Sequence, residues 1–113
     1  MLTRLLAIAL LAATTSQALA EELKIVNKSD YDIHELYVSP AKAKKWGPDQ
    51  LGKNGTIDAG ETYTLSGISS GRWDLKLVDE DGTECEVADV DFSDGKVWTV
   101  TSRLLERCDA FGR

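Results

Sequence analysis

Arg72-Trp73-Asp74-Leu75-Lys76-Leu77-Val78 is the stretch that decides the fold. Trp73, Leu75 and Leu77 fall on one side of an extended chain, and Arg72, Asp74 and Lys76 fall on the other. Successive side chains of a strand face opposite ways, so this pattern predicts one face in a core and one in water. The same period of two recurs in both directions along the chain. Glu61 to Ser66 alternates Tyr63 and Leu65 with Thr62, Thr64 and Ser66, and Val97 to Thr101 carries Trp98 and Val100 on one side. Leu23 to Val26 and Ile33 to Val38 are rich in strand formers but less regular.

Thr83 to Phe92 breaks phase: Cys85 and Val87 share one parity, and Ala88, Val90 and Phe92 take the other. A one-residue bulge would restore a single inward face, because it inserts one unpaired residue and re-aims those that follow. Asp81-Gly82, between two alternating runs, is a hairpin signal, and Asn54-Gly55, Asp58-Ala59-Gly60 and Asp94-Gly95 mark further turns. Ser39 to Lys53 lacks alternation, and Pro40 and Pro48 exclude a regular central strand there. It reads as an ordered excursion, with one helical turn expected at Ala41 to Trp46. Six or seven short strands without a long helix predict an all-β, antiparallel β-sandwich, Ig-like in general architecture, with a small barrel as the alternative.

Upstream of the first strand lies MLTRLLAIALLAATTSQALA. Arg4 precedes an apolar run from Leu5 to Ala13, and Ala18-Leu19-Ala20 supplies the small-x-small pattern of a cleavage site. Residues 1–20 are therefore expected to be a signal peptide, leaving residues 21–113 as a single all-β domain that is periplasmic or secreted. The apolar run is far shorter than the roughly 20 residues that span a bilayer, so no membrane insertion is expected after cleavage. Residues 21–113 carry 12 basic and 19 acidic residues, a net charge of −7. That balance argues against nucleic acid, whose binding needs a basic face, and against anionic lipid surfaces. The pair Cys85 and Cys108 is expected to form a disulfide in an oxidising compartment.

Asp79, Glu80, Asp81, Glu84, Glu86, Asp89, Asp91 and Asp94 crowd a segment that contains no basic residue. The favoured reading is a hairpin tip with solvated, mutually repelling charges. Calcium, with Asp79, Asp81 and Glu84 as candidate ligands, is the alternative, although the twelve-residue spacing of an EF-hand is missing. No other metal or cofactor is indicated. Trp46, in Trp46-Gly47-Pro48-Asp49, offers a possible partner contact, the alternative being an indole folded back over one end of the sandwich. The chain's one histidine, His34, stands without a recognisable Ser or Cys nucleophile, so no catalytic residue is assigned and an enzyme is not expected. Asn27-Lys28-Ser29 and Asn54-Gly55-Thr56 match the N-glycosylation pattern and are read as coincidental behind a bacterial-type leader.

Asn27, Leu36-Tyr37-Val38-Ser39-Pro40, Trp46-Gly47 with Asp49, Leu51 and Gly52, Ala59-Gly60-Glu61, Trp73-Asp74-Leu75-Lys76 and Asp79-Glu80-Asp81-Gly82 occur in that order. Over residues 23–90 this order resembles a family of small secreted bacterial proteins of uncharacterised function. The resemblance implies an exported β domain and no activity or site. Relatives carry a cysteine just before the aromatic-Asp strand, where this chain has Ser70 and Gly71, so the resemblance does not supply the cysteine pairing. The expected function is an exported, non-enzymatic binding or interaction domain for an unknown protein or small ligand. A calcium-dependent structural module and a small secreted enzyme inhibitor are the alternatives.

Overall fold

The computed structural model describes residues 21–93, 96–108 and 111–112. The expected leader and the Asp94-Gly95 turn lie outside the described residues. Six strands and a short helix follow in the order β1 (Glu21–Lys28), β2 (Glu35–Pro40), β3 (Thr62–Ile68), β4 (Gly71–Val78), β5 (Glu84–Phe92), β6 (Val97–Thr101) and α1 (Ser102–Glu106). They form two three-stranded sheets, β3-β1-β6 and β2-β4-β5, in a small sandwich. No closed barrel forms among the described residues. The alternating runs supply the inner faces. Leu23, Ile25, Leu65 and Val100 of one sheet enclose the core with Leu36, Val38, Leu75, Leu77, Val90 and Phe92 of the other.

Residue pairing in β4 and β5 realises the expected bulge. Leu75 faces Val87 and Trp73 faces Val90, so Ala88 and Asp89 together oppose Asp74. Cys85, Val87, Val90 and Phe92 thereby share the inward face, and Trp73 stacks on Phe92 with ring centroids 5.8 Å apart. Asp89 takes φ +63°, a left-handed backbone unusual for a non-glycine residue. Buried Asp74 holds it there, accepting the Asp89 N–H at 2.9 Å on one oxygen and the Lys42 N–H at 3.0 Å on the other. Lys42 and Lys44 also have positive φ, 69° and 54°, so the helical turn expected at Ala41 to Trp46 does not form. A turn stapled to the sheet by Asp74 and by the Ser39 hydroxyl takes its place.

The excursion after β2 has a structural task. It folds back along the outer edge of β2, with Gly47 N–H on Val38 O at 3.4 Å and Gln50 N–H on Leu36 O at 2.7 Å. Asp49 completes the row by accepting from Leu36 N–H and Leu51 N–H. An edge strand left bare is a template for pairing with other chains, and this edge is covered.

Two features were not anticipated. The β1–β6 pairing is parallel, with Ile25 opposite Trp98 and Asn27 opposite Val100, which makes that sheet mixed. The chain leaves the second sheet at Phe92 and enters the first beside β1, running in the same direction. Thr101 then caps α1, its hydroxyl accepting the Leu104 N–H at 3.1 Å. Finally, a disulfide joins Cys85 in β5 to Cys108 beyond α1, as expected from the cysteine count. It pins the C-terminal segment, whose Leu105 and Phe111 are buried, against the sandwich.

The Asp74 clamp predicts acid sensitivity. Its carboxyl is held below the ordinary carboxylate range, chiefly by the Asp89 N–H and next by the Lys42 N–H. The neighbouring Asp89 is lowered too, by the Arg72 guanidinium. A depressed folded pKa stabilises above the unfolded value near 3.9, and that contribution disappears as pH falls through the folded value. Denaturant midpoints are therefore expected to hold level from neutrality to about pH 5 and to fall below about pH 4. Asp74→Asn should lower the midpoint at neutral pH and flatten the acid limb. An unchanged acid limb in that variant would remove Asp74 from the account.

Candidate functional site

At one end of the sandwich four segments converge: residues 30–35, residues 49–56, the β4–β5 tip at 79–82, and Gly112. The local fold explains why. Ile33 bridges Ile57, burying both side chains, and the His34 N–H extends the β2–β4 ladder to Val78 O at 2.7 Å. Between these anchors lies an open hollow of about 570 Å³, lined by His34, Glu35, Asp49, Lys53, Asn54, Thr56 and the Asp79–Gly82 tip. A second hollow of about 240 Å³ shares His34 and Asp79–Asp81 and adds Asp30, Tyr31, Asp32 and Gly112. Carboxylates dominate both walls, and Lys53 is the lysine that faces them.

Of the three candidate calcium ligands, Asp79 has another role. It is buried, and its Oδ1 accepts the Asp81 and Thr83 N–H groups at 2.9 and 2.8 Å, forming the hairpin tip. Its Oδ2 accepts the Gly112 N–H at 2.6 Å and so ties the C-terminal segment to the same tip. Asp81 stands exposed at the tip, while Glu84 lies on the outer sheet face with its carboxylate 3.9 Å from Lys76 Nζ. Among the described residues no group of three or more His, Cys, Asp or Glu side chains is arranged to hold a metal ion.

The acidic stretch is also less repulsive than its sequence suggests, because cations come from elsewhere in the chain. Glu84 meets Lys76, Glu86 meets Lys44 at 3.1 Å, Asp89 meets Arg72 at 3.0 Å and Asp91 meets Lys96 at 3.8 Å. Exposed pairs of this kind stabilise little, but they cancel much of the like-charge repulsion. Sodium chloride and calcium chloride at equal ionic strength are accordingly expected to shift the melting temperature by similarly small amounts. A bound calcium at 100 times its dissociation constant would add about 2.7 kcal/mol. A calcium-specific rise abolished by Asp81→Asn with Glu84→Gln would refute the expectation; Asp79 is unsuitable for that test because its removal breaks the tip.

Trp46 sits away from both hollows. It is half-buried on the outer face of β2-β4-β5, with Lys76 Nζ 5.1 Å from its ring and 4.9 Å from the Tyr37 ring. The folded-back indole thus covers a sheet face rather than an end of the sandwich. Tyr37 donates its hydroxyl to Glu35, and that bond, followed by burial and the nearby carboxylates, pushes its pKa up to about 12. His34 lines both hollows, and among the described residues no hydrogen bond joins its ring to a hydroxyl nucleophile. Cys85 and Cys108 are consumed by their disulfide.

Asn27, which the sequence presents only in a glycosylation pattern and in the resemblance, is a buried structural residue. Its side chain follows Leu23 and Ile25 on the inward parity of β1, and that parity is the signal that could have found it. Among the described residues no helix is long and apolar enough to cross a membrane. Compared with family models, curated proteins and solved structures, the chain matches none of them.

Proposed function

We propose that the chain is an exported, non-enzymatic binding domain that takes a cationic partner at the hollow beside His34. The observation that carries this reading is the hollow itself: about 570 Å³, open, and walled by carboxylates from separate loops on a rigid sandwich. Charges lining a concavity with low-dielectric walls focus the field and attract counter-charged ligands. The disulfide accords with an oxidising compartment, and the leader-like residues 1–20 and the resemblance to small secreted bacterial proteins support export.

A short oligolysine peptide is the probe, titrated calorimetrically at low and at physiological salt. Binding should weaken with salt, and Glu80→Gln with Asp81→Asn should weaken it about tenfold, since these charges line the wall. Glu22→Gln with Asp91→Asn, equal in charge but elsewhere on the surface, should change it far less. No binding, or equal losses in both double variants, would defeat the proposal.

A further inference from the structure

The chain has two asparagines, and the fold treats them oppositely. Asn27 is buried, its amide donating to Tyr31 O and Ile57 O while its oxygen accepts from Ser29. Asn54 is exposed in the turn at residues 53–54, and among the described residues no hydrogen bond holds its amide. It is followed by Gly55, the residue that least hinders approach of its own backbone nitrogen to a preceding side chain. The glycine is required by the fold: a Cβ there would lie 1.9 Å from the Leu51 carbonyl oxygen. The Gly55 N–H reaches its acceptor, Gly52 O, at 3.4 Å, a long bond that restrains the nitrogen weakly.

We propose that Asn54 is a self-modification site that deamidates through a cyclic imide in the folded protein. Base removes the proton from the Gly55 backbone nitrogen, which attacks Asn54 Cγ and forms a new N–C bond. The Cγ–Nδ2 bond breaks, and Nδ2 takes up a proton and leaves as ammonia. Water then opens the imide at one of its two carbonyls, giving aspartate or an isoaspartyl linkage at position 54. Water is the sole co-reactant, and the product gains one negative charge. That charge arises beside Lys53 on the wall of the larger hollow, so the protein becomes more acidic at this site as it ages. The proposal goes beyond the binding reading and stands without it, because the chemistry needs no ligand.

The test holds the disulfide-bonded protein in mildly alkaline buffer, digests it with a protease active in acid, and maps both asparagines by mass spectrometry. Asn54 should convert at least about a hundredfold faster than Asn27, whose reaction waits on local unfolding. The rate should rise with hydroxide concentration, and isoaspartate should appear among the products. Asn54→Gln should slow the appearance of acidic species on ion exchange to the rate set by Asn27. Conversion at Asn54 no faster than at Asn27, or undiminished acidic species from Asn54→Gln, would overturn the assignment.

Discussion

Replacing Asn27 by alanine is expected to lower the unfolding free energy by about 2–4 kcal/mol, through loss of a fully satisfied buried network. Its Nδ2 donates to Tyr31 O at 2.8 Å and Ile57 O at 2.9 Å, and its Oδ1 accepts from Ser29 N at 3.0 Å and Ser29 Oγ at 2.6 Å. The side chain is fully buried, so alanine leaves the Ser29 N–H without its acceptor and strips one donor from each carbonyl, although Ile57 O keeps the Ile33 N–H at 3.0 Å. An orphaned buried N–H costs about 1–3 kcal/mol, the lost hydrogen bonds to the two carbonyls add about 1 kcal/mol each, and the Ser29 hydroxyl still reaches Tyr31 O. Against a total stability of about 5–15 kcal/mol, the variant should be marginal. Urea unfolding measures the loss, and a change under about 1 kcal/mol would show that water or relaxation replaces the network.

Asn27→Asp separates hydrogen bonding from shape. The carboxylate still accepts from Ser29, but its second oxygen faces two carbonyls. That repulsion and burial raise the folded pKa, so the defect should be smallest below the unfolded value near 3.9 and complete once pH exceeds the folded one. Stability relative to wild type should therefore rise on acidification, opposite in sign to the Asp74 effect. The same amide holds Tyr31 and Ile57, which border or anchor the hollows, so its loss should loosen that end of the sandwich first.

Strands were legible because their signal is local. Period two in Arg72–Val78, Thr62–Ser66 and Val97–Thr101 needs nothing beyond neighbouring residues, and the parity break in β5 signalled a bulge, which the strand pairing places at Ala88–Asp89. Three carboxylates were not legible, because each serves backbone groups set by the tertiary fold. Asp74 serves Lys42, Asp79 serves Gly112 and Asp49 serves Leu36, at separations of 32, 33 and 13 residues. Sequence spacing presents such residues as free charge, which is how Asp79 came to resemble a calcium ligand. The parallel β1–β6 pair was equally hidden, since alternation fixes which face is buried and not which way a neighbour runs. The hollow combines loops that only the sandwich brings together.

Cys108→Ser is expected to lower the unfolding free energy by about 2–4 kcal/mol, because the bond closes a loop that the unfolded chain would otherwise explore. Its partner Cys85 is buried in β5, 23 residues away in sequence. Damage should begin in the C-terminal segment rather than in the sheets. That segment keeps two other anchors: Phe111, buried edge-on to Tyr31 with centroids 6.3 Å apart, and the Gly112 N–H on Asp79. Phe111→Ala alone should cost about 3–5 kcal/mol, as large-to-small changes in cores do. The two substitutions act on one cooperative piece, so the double variant should lose less than the sum of the singles. Once the segment has detached, its second anchor has nothing left to hold. Urea unfolding of the four proteins, with amide exchange at Cys108 and Gly112, measures both the coupling and its location. Losses additive within about 0.5 kcal/mol would mean that Phe111 stays docked without the bond. Wild-type protein under reductant should then reproduce Cys108→Ser, with the C-terminal amides exchanging before those of β1 and β4.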